Sequence, residues 1–142
     1  MTANRTTLLA LAERVEAATG ADRELDAAIA VAVSDDVGAW VVEPSPSSLF
    51  SHQPGWFCTS DNRSHKAPAY TASLDAAMSL VPSGWNHGYS SRQGTEPSWR
   101  VVAQCWNAKP ASTLHGEAAT PALALTAACL RARAIAWSMT DD

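Results

Sequence analysis

The chain has 142 residues, of which 46% are hydrophobic and 17% are charged, which predicts one domain over residues 1–142 and leaves too little chain for two. This composition excludes a disordered chain, and no apolar run reaches the roughly 18 to 20 residues of a membrane span. A formal net charge of −4 argues against a DNA or RNA polymer as the main partner, because such binding needs many Lys and Arg side chains.

The first 36 residues predict two helices that pack antiparallel. Thr6 or Thr7 can cap the first helix, and Gly20 is a plausible stop. Its apolar residues recur at helical spacing, at Leu8, Leu11, Ala12 and Val15. Asp22 begins the second helix, whose apolar residues share one face while Asp26 belongs to the opposite, polar face.

Residues 37–68 predict two short strands and two polar loops. The AWVV and GWFCT segments are apolar and aromatic, which is typical of strands. Between them, residues 43–55 contain too many Pro and Ser residues for regular structure. The DNRSHKAP segment that follows GWFCT is predicted as a second loop with three potentially cationic side chains, Arg63, His65 and Lys66.

The C-terminal half predicts a helix, two strands and a long final helix. Ser73 is a natural N-cap, the WNHGYSS and SWRVVAQCWN segments are strand-like, and residues 109–116 form a polar loop. Thr120 and Pro121 open the final helix, which is expected to run to about Trp137. Two helices, short strands, a helix, two strands and a final helix in chain order predict an α+β fold with a small, mostly antiparallel sheet.

Cysteine usage and the N-terminus bear on the cellular compartment. Cys58, Cys105 and Cys129 are odd in number and form no CxxC pair, so they predict free thiols and neither a disulfide framework nor a zinc site. The N-terminal segment carries acidic residues within its apolar periodicity and has no long apolar core, which argues against a secretory signal. A cytoplasmic location is expected.

Helix starts are candidate anion sites, since their free N–H groups carry partial positive charge. Ser73 and Thr120 are therefore predicted to contact a ligand, although simple capping is the commoner role of such residues. Arg131 is about three turns beyond the start of the final helix, so it could serve such a site only from a neighbouring subunit.

Aromatic and cationic side chains supply further candidates for ligand binding. Tyr70, with Thr71 beside it, is the favoured aromatic platform, and Arg63 and Arg100 offer donors suited to phosphate. A solvated surface loop is the alternative for the cationic residues. Three of the six tryptophans fall in or near the predicted sheet, where a purine could stack unless they pack in the core: Trp85, Trp99 and Trp106.

No pattern of residues points to catalysis or to a metal. The four histidines lack HxxxH or HExxH spacing, and no GxSxG or glycine-rich phosphate loop is present. We therefore predict a protein that is not an enzyme and has no cofactor and no bound metal.

Three segments resemble one family. PAYTASLDAAMSLVPSGW, residues 68–85, GEAATPALALTAACLRARA, residues 116–134, and the N-terminal TLLALAERVEAATGADRELDAAIA are similar to small phage and prophage proteins grouped as the phage ABA sandwich domain. The resemblance covers most of the chain outside residues 34–67. It implies a three-layer α/β/α sandwich with two N-terminal helices, a small sheet and a long C-terminal helix. It also points to the Thoeris anti-defence proteins, oligomers that sequester cyclic nucleotide signals of bacterial immunity.

The leading functional hypothesis is a phage-type anti-defence protein of the host cytoplasm. It would bind a small nucleotide second messenger, of the cyclic ADP-ribose or cyclic oligonucleotide type, without turnover and as a homo-oligomer. Two alternatives stay open. One is a protein-interaction module that inhibits a host factor through exposed tryptophans and the acidic N-terminal helices; the other is a hydrolase of the same nucleotides.

Overall fold

The computed structural model describes residues 5–34, 36, 38–42, 54–92, 100–108 and 111–140, with side chains described for these residues except 89–92, 100, 108, 111 and 137–140. Within these ranges the chain forms four helices: α1 (Arg5–Ala17), α2 (Arg23–Val33), α3 (Leu74–Met78) and α4 (Pro121–Thr140). It also forms six strands: β1 (Trp40–Val41), β2 (Trp56–Cys58), β3 (Ser64–Lys66), β4 (Asn86–Arg92), β5 (Arg100–Ala108) and β6 (Ala111–Ala118).

The strands form two separate antiparallel sheets of three strands each. The N-terminal sheet has the order β1-β2-β3, and the C-terminal sheet has the order β4-β5-β6 with β5 at its centre. The predicted α+β class is confirmed. The sequence predicts a single small sheet, whereas the strands of the N-terminal and C-terminal halves pair only among themselves and form two. Two segments predicted as polar loops are also paired strands, β3 and β6.

Helix α4 is the centre of the core. It packs against β5 and β6 of the C-terminal sheet and also against α1 and α3, so residues 122–130 are buried on every side of the helix. Many of these residues are alanines, whose small side chains let other elements approach closely. The closest approach is at Gly116 of β6, where an added Cβ would lie 2.1 Å from the carbonyl oxygen of Ala124.

The two N-terminal helices bury the faces predicted for them, with one exception. In α1 the residues Leu8, Leu11, Ala12 and Val15 are buried, as their spacing predicts. In α2 the apolar face is also buried, but Asp26, predicted on the polar face, is 0% exposed. Asp26 is buried because its carboxylate accepts hydrogen bonds from Thr71 and pairs with Arg23.

The state of the cysteines and the character of the helices bear on two further predictions. The cysteines are free thiols, as predicted: Cys58 is half-buried, while Cys105 and Cys129 are buried. Among the described helices, none is both long enough and apolar enough to cross a membrane.

Candidate functional site

Tyr70 and Thr71, predicted to form a ligand platform, lie inside the molecule. Tyr70 is 6% exposed, and its carbonyl oxygen accepts a hydrogen bond from the Thr126 hydroxyl at 2.9 Å. Burial raises the pKa of the Tyr70 phenol. The N–H and the hydroxyl of Thr71 both donate to Asp26 Oδ1 at 2.8 Å. This segment therefore joins α2 to α4, and the Tyr70 ring is not at the surface where a base could reach it.

Ser73 and Thr120 cap the helices that follow them, which is the alternative role considered for both. The Ser73 hydroxyl accepts from the N–H of Ala76 at 3.3 Å, and the Thr120 hydroxyl accepts from the N–H of Leu123 at 3.2 Å. Helix α3 is only five residues long. Each cap thus satisfies a donor of its own helix.

Arg131 is held in a network at the edge of β6. Its guanidinium contacts the Glu16 carboxylate of α1 at 2.5 and 2.8 Å and also donates to the His115 carbonyl at 2.8 Å. Glu16 in turn accepts from the N–H of Glu117 at 2.9 Å. The hydrogen bonds with Glu16 raise the pKa of Arg131. Arg131 and Glu16 thus form hydrogen bonds with the His115 carbonyl and the Glu117 N–H of the edge strand β6. These bonds protect this edge of the C-terminal sheet from pairing with another strand.

Replacing Arg131 with methionine is expected to lower the free energy of unfolding by about 1–3 kcal/mol, because hydrogen-bonded groups lose a charged partner. Urea denaturation measures the loss, and Arg14→Met, at an exposed position of α1, is the matched control. If Arg131→Met instead unfolds like the wild type and weakens nucleotide binding, the predicted ligand role of Arg131 is correct and the structural role is wrong.

Arg63 and Arg100 are the other two arginines predicted to bind a phosphate. The Arg63 side chain is 79% exposed, and its Nε lies 3.6 Å from Asp61 Oδ2. A hydrogen bond from the Thr59 hydroxyl lowers the pKa of Asp61. Arg100 begins β5, in register with Arg92, and its side chain lies outside the described residues. Arg63 is therefore the one described side chain of the predicted site that is freely accessible.

The N-terminal sheet has one face turned toward α2. Gly55 and Phe57 on one strand and His65 and Ala67 on the next share this inner face, since they alternate with their neighbours. Arg23 of α2 donates to the Gly55 and Ala67 carbonyls, at 3.4 and 2.8 Å. The rings of Phe57 and His65 lie 5.4 Å apart, and Phe57 packs against the core.

The opposite face of this sheet carries six residues in two cross-strand rows. The strand register defines the first row as Trp40, Cys58 and Ser64, and a hydrogen bond from Val42 to Trp56 defines the second as Val42, Trp56 and Lys66. A contact of 3.4 Å between the Cys58 and Ser64 side chains confirms that these two point the same way. We call this surface the Trp40–Trp56 face.

Trp40 and Trp56 occupy diagonal positions on this face. Trp40 is 46% exposed, Trp56 is half-buried, and within the described residues the two rings make no contact with each other. Diagonal neighbours on an antiparallel pair are about 7–8 Å apart. Two indoles at neighbouring positions of one face offer aromatic surfaces on which a planar base can stack.

Two cationic side chains and an anchored turn lie at or next to the Trp40–Trp56 face. Lys66 is exposed beside Trp56, and Arg63 is exposed where the β2–β3 hairpin begins its second strand. Asp36 accepts from the N–H and hydroxyl of Ser60, at 2.9 and 3.0 Å, and the backbone hydrogen bond lowers its pKa. Because Asp36 precedes β1, this contact ties the start of that strand to the turn of the β2–β3 hairpin.

Comparisons with known protein families, with curated proteins and with solved structures find no match. In the part of the chain that the structure describes, no group of three or more His, Cys, Asp or Glu side chains is arranged to hold a metal ion.

Sequence analysis missed this face, although it named Arg63 and Lys66 as cations. Two of the tryptophans predicted for stacking lie elsewhere: Trp85 is buried, and Trp106 lies 3.5 Å from where a Cβ on Gly88 would be. The third, Trp99, is outside the described residues. Trp40 and Trp56 were read only as strand residues. Alternation along each strand shows which residues share a face of that strand. Whether Trp40 and Trp56 share a face of the sheet depends on the register between the strands, which the sequence does not give.

Proposed function

We propose that this chain is a non-enzymatic binding protein that holds a small nucleotide-derived anion on the Trp40–Trp56 face. The observation that carries the proposal is the diagonal pair of tryptophans with Lys66 in register beside Trp56. Stacking of a base on an aromatic side chain contributes about 1–3 kcal/mol and tolerates different bases. An ammonium group beside the stacked base supplies the charge that a phosphate requires.

The biological role we propose is sequestration of a cyclic nucleotide signal of bacterial immunity by a phage protein in the host cytoplasm. The resemblance of residues 68–85 and 116–134 to phage ABA sandwich proteins supports this role. Sequestration requires only tight binding, which fits a site that offers stacking and charge. We also propose that the protein acts as a homo-oligomer. An open sheet face covers a ligand on one side only, whereas ligand sites usually bury most of the ligand surface. A second subunit would cover the other side.

Trp40→Ala is expected to weaken binding of the nucleotide about 5- to 150-fold, the equivalent of the 1–3 kcal/mol that stacking contributes. Calorimetry with cyclic ADP-ribose and with cyclic di- and trinucleotides measures the affinity. Trp40→Phe should retain most of it, because a phenyl ring still stacks. Met78→Ala is the matched control, since Met78 is 40% exposed on α3, outside this sheet.

The position of the ligand can be tested through Cys58, which lies between Trp40 and Ser64 on the same face. Bound nucleotide should slow alkylation of Cys58, and Lys66→Glu should abolish both binding and protection. Recovery of intact nucleotide after heating the complex would rule out turnover under those conditions.

Failure of every nucleotide to bind the wild-type chain would overturn the proposal. The exposed Trp40 would then favour the protein-interaction alternative, since it is 46% exposed on the short strand β1.

A further inference from the structure

The C-terminal sheet has an outer face, which is the face opposite to α4. Gly116 and its partner Ala103 lie on the inner face, since an added Cβ at Gly116 would meet the backbone of α4. Side chains alternate along a strand, so every second residue of each strand belongs to the outer face. The described side chains of the outer face lie in three cross-strand rows, which are Asn86, Trp106 and Thr113; Gly88, Gln104 and His115; and Val102 with Glu117.

Trp106 extends across this outer face. Gly88 belongs to the neighbouring strand and to the next row, yet an added Cβ at Gly88 would lie 3.5 Å from both Cη2 and Cζ3 of the Trp106 indole. The ring therefore reaches diagonally over the backbone of β4, where a glycine leaves room for it. Because Trp106 is half-buried, the sheet covers part of the ring, and the rest is open to a ligand.

Polar side chains surround the indole. Four that are exposed lie in its own row or in the next one: Asn86, Thr113, Gln104 and His115. Amide groups offer both donors and an acceptor, and a hydroxyl group also donates and accepts. The described side chains of this face include no Lys or Arg, and the carboxylate of Glu117 is two rows away from the indole. These surroundings suit a ligand that has many hydroxyl groups and no charge.

We propose that the outer face of the C-terminal sheet is a second binding site, which takes a neutral saccharide stacked on Trp106 and hydrogen-bonded by Asn86 and Gln104. A sugar ring with equatorial substituents has axial C–H groups on both of its faces, and these pack on the flat apolar surface of an indole. Its hydroxyl groups donate and accept hydrogen bonds, as the amide side chains do. A few such polar groups around an apolar surface fix the orientation of a ligand.

The two candidate sites differ in the ligand chemistry that they favour. Lys66 gives the Trp40–Trp56 face a cation beside its tryptophans, which suits a phosphate, whereas the described neighbours of Trp106 offer hydrogen bonds without a Lys or Arg. Neighbouring strands are about 4.7–4.9 Å apart, so a row from β4 to β6 spans roughly 10 Å, which accommodates one or two sugar rings. The two faces belong to separate sheets, so either site can be lost without the other.

Saturation-transfer difference NMR of the full chain with cellotetraose, a neutral chain of equatorially linked glucose, tests the proposal. Saturation is expected to reach the C–H protons of the sugar rings, and titration of this signal measures the affinity. Trp106→Ala should weaken binding at least about fivefold, as expected when a stacking ring is lost. Trp106→Phe should retain most of the affinity, because a phenyl ring still stacks.

Gln104→Ala provides a second test that leaves the core unchanged, since this side chain is exposed. It should weaken saccharide binding about two- to tenfold, the effect of losing one neutral hydrogen bond. If thermal unfolding shows that Trp106→Ala does not fold, Gln104→Ala and Trp106→Phe decide the outcome.

Trp40→Ala is the matched control, because Trp40 belongs to the other sheet. It should lose nucleotide binding and keep the wild-type affinity for cellotetraose, which separates this proposal from the proposed function. No saturation of cellotetraose by the wild-type chain, wild-type affinity in Gln104→Ala and in folded Trp106→Ala, or loss of saccharide binding in Trp40→Ala would each overturn the proposal.

Discussion

Gly116→Ala is expected to destabilise this protein more than Gly→Ala at any other glycine that the structure describes. The new Cβ would lie 2.1 Å from the Ala124 carbonyl oxygen and 2.7 Å from the Ala128 nitrogen, both in the backbone of α4. Overpacking of a core costs about 1–3 kcal/mol when side chains can adjust, and sometimes more. Here the obstacle is the backbone of a buried helix, so we expect a loss of at least about 3 kcal/mol.

The matched control for Gly116→Ala is Gly20→Ala, because an added Cβ at Gly20 meets nothing within 4 Å. That substitution should leave the free energy of unfolding unchanged, or raise it by up to about 1 kcal/mol through a less flexible unfolded chain. Urea denaturation of both variants at one pH measures the difference. If Gly116→Ala unfolds at the same urea concentration as the wild type, α4 does not approach β6 as closely as the structure shows.

The helices could be predicted from the sequence because local signals define them. Side-chain spacing identified the buried face of α1, and the residues at Asp22, Ser73 and Thr120 marked the starts of the following helices. Each of these signals acts within one or two turns of the chain. No knowledge of the tertiary structure was needed to interpret them.

Strands β3 and β6 could not be predicted in the same way because their sequences are mostly polar. Ser64–Lys66 is exposed along its whole length and becomes a strand through pairing with β2. Ala111–Ala118 contains Gly116, which weakens strand propensity but is needed where α4 approaches. In both cases the partner strand and the packing decide the conformation, and neither is encoded locally.

The candidate site depended on register, which the sequence did not reveal. Trp40 and Trp56 belong to different strands, and a shift of one residue in the pairing would place one of them on the inner face. The burial of Tyr70 and Thr71 could not be predicted for a related reason. Their hydrogen-bond partners, Thr126 and Asp26, are 56 and 45 residues away in sequence, so their burial could not be inferred from neighbouring residues.

Asp26→Ala is expected to lower the free energy of unfolding by about 3–5 kcal/mol, which is typical when one partner of a buried ion pair is removed. The Asp26 carboxylate is 0% exposed and accepts from the Thr71 N–H and hydroxyl at 2.8 Å. It also pairs with Arg23 at 2.7 Å. Glu24→Ala, at an exposed position in the first turn of the same helix, is the matched control and should change stability by less than about 0.5 kcal/mol.

The effect of Asp26 should extend to the binding face, because Arg23 joins the two. The Arg23 guanidinium pairs with Asp26 and donates to the carbonyls of Gly55 and Ala67, which bound β2 and β3. Without the carboxylate, Arg23 loses the partner that fixes its position, and the hairpin that carries Trp56 loses its anchor on α2. Under conditions where Asp26→Ala remains folded, we therefore expect weaker nucleotide binding and faster alkylation of Cys58. Asp26→Ala with wild-type Cys58 reactivity would show that the face is fixed independently of α2.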